Sequence, residues 1–357
     1  VDSLVGSEMC IRDRSRSSHS YLNPDKRENY LFNSSINRIE ESDFIFLVGS
    51  NPRYEATILN ARIRKAYLAN KTKIISLNDV GDLTYPYNAL DGNIQNIKDI
   101  IDDKHEISSL ITKAKKPIII FGQSALKSKY SKFIFESFKS YLIKNNKISE
   151  DWNALNIISE NAATVGGFDL GIYKTTDGSN EILKDLENNK FELIYLLGQD
   201  NIKFNKQNEF IIYQGSHGDK GAEIADIILP GAAYTEQSGY YTNLEGKLQK
   251  AYKASYPPEN AKEDWLIINE IAEIMNHRKL FNDKDELESS LINQINLMIE
   301  KNKSKNFIQI ENLTFEKEIL KIDSEDYYHS NVIARASKTM NECKLAKINF
   351  KSTGTEG

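Results

Sequence analysis

The sequence is poor in cysteine. Only Cys10 and Cys343 occur among its 357 residues. Two thiols cannot supply the four thiolates that an iron–sulfur cluster needs. The absence of a CxxC pair also argues against a structural zinc site. We therefore expect both cysteines to be reduced and unpaired.

Histidine is also sparse, and no HxxxH or HExxH pair occurs. The five histidines are His19, His105, His217, His277 and His329. Scattered singly in this way, they predict no histidine metal site. The acid pairs Glu40-Glu41 and Asp102-Asp103 are predicted to lie on solvated faces rather than in a catalytic site.

Long apolar runs are absent too. No run reaches the roughly 18 residues that a membrane-spanning helix requires. The N-terminus lacks a basic region followed by an apolar stretch. The formal net charge of −5 argues against a general nucleic-acid binder, which would need a basic face. We expect no nucleic-acid partner and no direct membrane insertion, although a peripheral protein bound to membrane subunits would have the same composition.

Short apolar runs recur along the chain from Tyr21 onwards. They lie at Phe44–Gly49, Lys73–Leu77, Pro117–Gly122, Leu155–Ser159, Glu192–Gly198, Phe210–Gly215 and Ala225–Leu229. Each run is mostly apolar without alternation, which is typical of parallel strands covered by helices on both faces. Two of the runs resemble each other, because Asp43–Gly49 and Glu192–Gly198 both lead from an acid through five apolar residues to glycine.

Elsewhere along the chain, apolar residues recur at the spacing of a helix and form four stripes. The four stripes are Leu59, Ile63, Ala66 and Tyr67; Ile134, Phe138, Tyr141 and Leu142; Trp265, Ile268, Ala272 and Met275; and Leu287, Leu291, Ile295 and Met298. We predict helices over Glu55–Ala69 and Lys132–Ile143 from the first two stripes. Alternation of strands and helices predicts an α/β fold with mostly parallel sheets flanked by helices.

Two loops that follow predicted strands are candidate binding or catalytic sites. Gly49–Arg53 links a strand to a helix, where backbone N–H groups can face an anion, but it lacks the GxGxxG pattern. Gln214–Gly221 contains Ser216, His217 and Asp219. Residues so close in sequence rarely adopt triad geometry, and no GxSxG motif occurs. We interpret the second loop as a glycine-rich turn that needs positive φ angles.

Several segments together resemble one protein family. They are Leu47–Ala56, Asp82–Tyr87, Gly221–Glu236, Asn243–Gln249, Tyr256–Pro258, Ala261–Trp265 and Tyr328–Cys343. In order and spacing they resemble the large iron–sulfur subunit of respiratory complex I, the NADH:quinone oxidoreductase. The resemblance falls in the molybdopterin-oxidoreductase-like part of that subunit and extends from about Tyr21 to Lys344.

The resemblance implies a fold similar to molybdopterin enzymes such as formate dehydrogenase. In this family an N-terminal ferredoxin-like part holds 2Fe-2S and 4Fe-4S clusters, and we expect that part upstream of this sequence. The part represented here is expected to be structural and free of cofactor, with no catalytic, cofactor-binding or metal-ligating residue. Expected partners are other peripheral-arm subunits of complex I, on the cytoplasmic side of the bacterial inner membrane, equivalent to the matrix side in mitochondria.

An alternative is a molybdopterin-dependent oxidoreductase that retains its own cofactor. It would need Gly49–Arg53 and Gln214–Gly221 to bind pyrophosphate, with a metal ligand from Ser, Asp or solvent. A third class, a free nucleotide-binding or signalling module, has less support. These alternatives differ in metal content and in association with a respiratory assembly.

The sequence also predicts four segments. Residues 1–14 do not fit the pattern that follows and are expected to be a non-native artefact. Residues 21–300 are predicted to form the molybdopterin-oxidoreductase-like α/β domain, and residues 301–350 the C-terminal domain of the large iron–sulfur subunit. Residues 351–357 are predicted to be a disordered tail.

Overall fold

The computed structural model describes residues 21–159, 162, 164–172, 185–186, 188–199, 205–218, 220–303, 315–322, 327–329 and 331–348. The chain divides into two compact units. Unit 1 comprises Val1–Asn180, Tyr240–Gln249 and Glu288–Ser324. Unit 2 comprises Glu181–Gly239, Lys250–Leu287 and Glu325–Gly357.

Unit 1 is built on a five-stranded parallel sheet. Its strands are β1 (Phe44–Val48), β2 (Lys73–Ser76), β3 (Asn88–Ala89), β4 (Pro117–Phe121) and β5 (Leu155–Ile157). They lie in the order β3-β2-β1-β4-β5, and Phe44 is in register with both Lys73 and Pro117. Strand β1 is therefore the central strand, with β4 as its neighbour.

Helices and short 3-10 segments surround this sheet. The helices are α1 (Pro52–Glu55), α2 (Thr57–Asn70), α3 (Ile94–Ile101), α4 (Glu106–Lys113), α5 (Gln123–Lys127), α6 (Ser131–Lys144) and α7 (Thr164–Asp169). The 3-10 segments of this part are Arg27–Asn29 and Ile36–Glu41. Every residue of β1 and β4 is buried, as parallel strands covered on both faces require.

Local sequence determines where these helices begin and end. The side chain of Asn93 accepts a hydrogen bond from the Gln95 N–H at 2.9 Å and so caps α3. His105 Nδ1 accepts from the Ile107 N–H at 3.2 Å and caps α4. Helix α2 ends at Asn70, and the next residue, Lys71, has a left-handed backbone with φ of 55°. These caps satisfy N–H and C=O groups that a helix end would otherwise leave unpaired.

A buried ion pair joins the early part of unit 1 to α7. The guanidinium of Arg27 donates to both carboxylate oxygens of Asp169, at 2.9 and 2.8 Å. The hydroxyl of Tyr30 donates to the same carboxylate at 3.0 Å, and the Asp169 side chain is completely buried. A buried carboxylate is tolerated because these donors replace its hydration.

Unit 2 contains a smaller parallel sheet. Its strands are β6 (Leu193–Leu197), β7 (Phe210–Gly215) and β8 (Ile227–Pro230), in the order β6-β7-β8. Helices α8 (Lys220–Glu223) and α9 (Asp264–Asn276) belong to this unit. Leu196, Ile211 and Tyr213 form its buried cluster, on one face of the sheet. On the opposite face Leu193, Leu197, Phe210 and Ile227 are exposed, and on the face of the cluster Ile228 is exposed as well.

The remaining elements are β9 (Gly239–Thr242), β10 (Leu248–Ala251), α10 (Lys284–Lys303), the 3-10 segment Tyr327–His329, α11 (Val332–Ala336) and α12 (Lys338–Ile348). Strands β9 and β10 pair as a two-stranded sheet. Among the described helices, none is long and apolar enough to cross a bilayer.

The predicted α/β class with mostly parallel sheets is confirmed, and a strand forms within or overlapping each of the seven apolar runs. All four stripes lie on helices, but the third is not a buried stripe, because Met275 is 73% exposed. The prediction that helices cover both faces of each sheet is wrong for the described part of the unit 2 sheet, because Leu193 and Phe210 are exposed. Residues 304–314, 323–326, 330 and 349–350 of the predicted C-terminal segment, the predicted tail 351–357 and residues 1–14 lie outside the described part of the chain.

Candidate functional site

The carboxyl edge of the unit 1 sheet contains a topological switch point. After β1 the chain continues to β2 on one side, and after β4 it continues to β5 on the other. In open parallel sheets, ligands bind in the crevice where neighbouring strands lead to opposite sides. The predicted loop Gly49–Arg53 leaves β1 at this point, and Gly122 follows β4.

The loops after β1 and β4 contact each other closely. Gly49 has φ of 61°, a conformation that favours glycine. A Cβ atom at Gly49 would lie 2.5 Å from the backbone nitrogen of Ala125. A Cβ atom at Gly122 would overlap the carbonyl oxygen of Gly49. Both glycines therefore allow backbone to fill a crevice that could otherwise admit a ligand.

The carboxylate of Glu55 occupies the anion position of this switch point. The Asn51 N–H donates to Glu55 Oε1 at 2.5 Å, and the Gln123 N–H donates to Glu55 Oε2 at 3.3 Å. These two amides lie in the segments that follow β1 and β4. Backbone amides in such positions commonly bind phosphate. Here a side chain of the protein takes that place.

An apolar side chain covers the same edge. Leu320 is only 5% exposed, and its Cδ2 atom lies 2.8 Å from the position that a Gly49 Cβ would occupy. Its N–H donates to the Gly92 carbonyl at 2.8 Å, and its carbonyl accepts from Asn78 Nδ2 at 2.5 Å. Residues 315–322 thus lie across the carboxyl edge of the sheet and are held there by hydrogen bonds to their backbone.

Three buried polar atoms that follow the carboxyl ends of unit 1 strands have no hydrogen-bond partner among the described residues. They are the hydroxyl oxygens of Ser50 and Ser159 and the amide oxygen of Asn78. Each follows a different strand of the unit 1 sheet. All three are neutral, and buried water molecules would satisfy them.

A second concavity in unit 1 is apolar. It has a volume of about 190 Å³ and is lined by residues including Gly167, Leu170, Leu248 and Ile295. Thr242 contributes a buried hydroxyl that has no partner among the described residues. Within the described part of the chain no charged side chain lines this cavity, so it offers no group for acid–base or metal chemistry.

The second candidate loop, Gln214–Gly221, follows β7 in unit 2. The Gln214 side chain is buried and donates to Asp264 Oδ1 at 2.8 Å, while Gln237 donates to Asp264 Oδ2 at 2.8 Å. Both carboxylate oxygens of Asp264 therefore accept hydrogen bonds from side-chain amides. This arrangement fixes the start of α9 beside the end of β7 and gives that carboxylate a structural role.

The polar residues of this loop do not assemble a catalytic triad in the described structure. Ser216 Oγ lies 3.0 Å from His217 Nδ1, and this pair is exposed. Asp219 lies outside the described residues. The prediction of positive φ angles in this loop is wrong for its three glycines, which are Gly215, Gly218 and Gly221.

Close approach explains two of these glycines instead. A Cβ atom at Gly215 would overlap the hydroxyl of Tyr213. A Cβ atom at Gly221 would lie 2.5 Å from the carbonyl oxygen of Gln199. Glycine is therefore needed at these two positions for space rather than for backbone conformation.

The remaining candidates are structural where the structure describes them. Glu40 forms ion pairs with Arg62 and Lys65, and hydrogen bonds from these two cations lower its pKa. Cys343 is free and exposed. Within the described part of the chain, His, Cys, Asp and Glu form no group of three suited to a metal ion. Cys10 and His19 lie outside that part.

Comparison with known proteins assigns the fold. A family model described as molybdopterin oxidoreductase matches residues 3–274. The chain belongs to the molybdopterin oxidoreductase family. A second model, which describes the C-terminal region of the G subunit of NADH-ubiquinone oxidoreductase, matches residues 296–343 of this family member. The expected resemblance is thereby confirmed. The first match begins inside residues 1–14, so that segment and the boundaries 21–300, 301–350 and 351–357 stay predictions.

Three relatives of this chain are named as subunits of NADH-ubiquinone or NADH-quinone oxidoreductase. The NADH-ubiquinone oxidoreductase 75 kDa subunit of Reclinomonas americana is 38% identical over 350 residues, which are 95% of this chain and 50% of that protein. The G subunit of NADH-quinone oxidoreductase from Rickettsia bellii is 37% identical over 93% of this chain and 48% of its own length. The mitochondrial NADH-ubiquinone oxidoreductase 78 kDa subunit of Candida albicans is 35% identical over 95% and 48%. The chain spans about half the length of these relatives.

The molybdopterin oxidoreductase family name implies a pterin cofactor, which in its dinucleotide form carries a pyrophosphate. The switch point of this family member does not fit that group. Glu55 already accepts hydrogen bonds from the Asn51 and Gln123 amides at this point, and its negative charge would repel a pyrophosphate. Leu320 covers the loop beside it. The described residues of this edge therefore support packing rather than cofactor chemistry.

Proposed function

We propose that this chain is part of the large iron–sulfur subunit of respiratory complex I and that its role there is structural. The names of the three relatives and the match to the second family model support this proposal. The complete subunit would pass electrons from NADH toward quinone through 2Fe-2S and 4Fe-4S clusters held outside this chain. The residues present here would brace that part of the assembly.

The bridge formed by Glu55 is the observation that carries the structural role. A carboxylate bound to the Asn51 and Gln123 amides replaces an external anion with a permanent part of the fold. Such an arrangement stabilises the switch point without cofactor and removes its capacity to bind a dinucleotide. We therefore assign no catalytic, cofactor-binding or metal-ligating residue to the described part of the chain.

Location and partners follow from the same proposal. The chain would lie in the peripheral arm of complex I and contact other peripheral-arm subunits. In a bacterium it would face the cytoplasm at the inner membrane, and in mitochondria it would face the matrix. It would be held to the membrane by other subunits rather than by insertion of its own helices.

Native gel electrophoresis tests this proposal. An affinity-tagged copy of the protein is expressed in its source cells, and solubilised membranes are separated and stained for NADH oxidation. We expect the tagged protein in the same large assembly as the NADH-oxidising activity. Migration of all tagged protein as a small free species would contradict the proposal.

The second candidate is a molybdopterin-dependent oxidoreductase that retains its cofactor. The family match favours it, as does the exposed pair Ser216 and His217 in the loop after β7. Such an enzyme would contain stoichiometric molybdenum or tungsten, whereas the structural proposal requires neither. Metal and pterin content therefore separates the two candidates.

A further inference from the structure

The three-stranded sheet of unit 2 exposes an apolar face. Register pairs Leu193 with Phe210 and Ile212 with Ile227, so side chains of one face alternate with those of the buried cluster. Leu193 is 56% exposed, Phe210 43% and Ile227 45%. We call this side the open face; its apolar residues are the exposed Leu193, Leu197, Phe210 and Ile227 and the half-buried Ile212 and Leu229.

An apolar face that is largely exposed is unusual for this kind of sheet. Parallel sheets occur almost only with both faces covered, because their strands are apolar on both sides. Adjacent apolar side chains on a surface mark a place where another chain or segment binds. The sheet of unit 1 supplies the contrast, since all residues of β1 and β4 are buried.

The chemistry of the open face favours a permanent, apolar contact. Its six apolar side chains are aliphatic or aromatic and carry no charge. Tyr195 and Gln214 lie on the same side of the sheet, but the Tyr195 hydroxyl donates to Gln214, and Gln214 donates to Asp264. Asp226 precedes β8 and already accepts from Lys206 at 2.6 Å. Permanent interfaces resemble a divided hydrophobic core, whereas transient interfaces are more polar.

The length of the relatives indicates what covers this face. Each of the three spans about twice the length matched by this chain, so a comparable stretch of polypeptide lies outside the match. We propose that the open face of unit 2 packs against that other half of the polypeptide in the intact subunit. The inference rests on the proposed function only in taking the chain as part of a longer subunit.

Cysteine labelling tests the inference directly. The cysteine variants Leu193→Cys and Ile227→Cys are made in a background with Cys10→Ser and Cys343→Ser. Ile274→Cys is the control, because Ile274 is a 76% exposed residue of unit 2 on α9, outside the open face. Labelling by a maleimide is compared between the 357-residue chain and a full-length form. In the full-length form, this chain replaces the matching half of the Reclinomonas americana subunit.

The inference predicts a selective change. Labelling at positions 193 and 227 should slow at least about tenfold in the full-length form, since burial limits access to local opening, while labelling at position 274 should change less than about twofold. Equal rates in the two forms at positions 193 and 227 would overturn the inference. Protection at all three positions would also overturn it, because the open face would then not be the specific contact.

Other occupants give different results. Protection that appears in the 357-residue chain alone and rises with its concentration would overturn the inference in favour of a second copy. Protection found only in assembled complex I would overturn it in favour of a separate subunit. Failure of the tagged protein to enter an NADH-oxidising assembly would reject the proposed function, yet selective protection in the full-length form would still support this contact.

Discussion

The sheets of unit 1 and unit 2 are both parallel and have similar apolar strand sequences, yet they are covered differently. All residues of β1 and β4 in unit 1 are buried, whereas Leu193, Phe210 and Ile227 in unit 2 are exposed. An apolar strand shows that something covers it but does not show which segment does so. Unit 1 covers its sheet with its own helices, and we propose that unit 2 relies on polypeptide outside this chain.

Matched truncations of one aromatic side chain in each sheet test this contrast with the largest effect. Phe46 lies in β1 and is fully buried, whereas Phe210 lies in β7 and is 43% exposed. We expect Phe46→Ala to lower the free energy of unfolding of unit 1 by about 3–5 kcal/mol, through lost burial and a cavity. Phe210→Ala should lower that of unit 2 by less than about 1 kcal/mol.

Amide hydrogen exchange under native conditions, read at β1 and β7 in the 357-residue chain, measures both effects separately. Equal destabilisation by the two substitutions would break the comparison. It would mean that the unit 2 sheet is already covered in this chain.

Two glycines with nearly the same φ angle sharpen the comparison further. Gly49 follows β1 with φ of 61°, and Gly198 follows β6 with φ of 60°. A Cβ at Gly49 meets the backbone of Ala125, but at Gly198 no described atom lies within 4 Å. We expect Gly49→Ala to cost about 3 kcal/mol or more, through steric overlap and strain, and Gly198→Ala about 1 kcal/mol, through strain alone.

Urea unfolding of both variants, compared with the parent chain, measures this difference. Similar costs for the two substitutions would contradict the close packing that we describe at the switch point. The internal likeness of the segments that end at these glycines was visible in the sequence, whereas the difference in the space around them was not.

The sequence was sufficient for the elements and the fold class because their signals are local. Apolar runs located the strands, and spacing located helices such as α6. Helix α3 was not predicted, although Ile94, Ile97 and Ile101 have helical spacing. Its failure to separate the two sheets has a physical cause, because an apolar strand has the same sequence whether its own chain or another covers it.

The role of Glu55 could not be read from the sequence. Its two amide donors come from Asn51, four residues away, and from Gln123, 68 residues away. Only the parallel pairing of β1 with β4 brings these amides to one place. The same limit applies to Leu320, whose position across the edge depends on contacts with Gly92 and Asn78.

Neutralising Glu55 has an intermediate expected effect. Glu55→Gln keeps the size of the side chain but removes the charge that strengthens its bonds to the Asn51 and Gln123 amides. We expect unit 1 to lose about 1–2 kcal/mol of unfolding free energy. The exposed Glu150 provides the control, and Glu150→Gln should change that free energy by less than about 0.5 kcal/mol.

Urea unfolding followed by tryptophan fluorescence compares these two variants. If Glu55→Gln is as mild as Glu150→Gln, Glu55 does not stabilise the switch point as an internal anion. The distinction between a filled crevice in unit 1 and an uncovered sheet in unit 2 would then lose one of its supports.

The smallest expected effect is a loss of unit 2 stability at acidic pH. Burial acts to raise the pKa of Glu263, but hydrogen bonds from Lys284 and Lys253 outweigh it and leave the pKa below its ordinary value. A carboxyl whose folded pKa is lowered stabilises the fold above its unfolded pKa, and this contribution is lost as pH falls through the folded pKa. We expect a loss of about 1 kcal/mol or less in unit 2 below the ordinary pKa of glutamate.

Hydrogen exchange of the α9 amides across the acidic pH range measures this loss. Glu263→Gln should flatten the dependence, whereas Glu270→Gln, at an exposed ion pair with Lys262, should leave it nearly unchanged. An unaltered pH dependence in Glu263→Gln would mean that other groups control the acid stability of unit 2.

The most direct measurement is the molybdenum, tungsten and pterin content of the intact protein purified from respiratory membranes. Because Glu55 and Leu320 fill the switch point of unit 1, we predict that neither metal nor pterin accompanies the protein in stoichiometric amount. One atom of molybdenum or tungsten and a matching amount of pterin per chain, retained through gel filtration, would contradict this result and identify the protein as a cofactor-bearing enzyme.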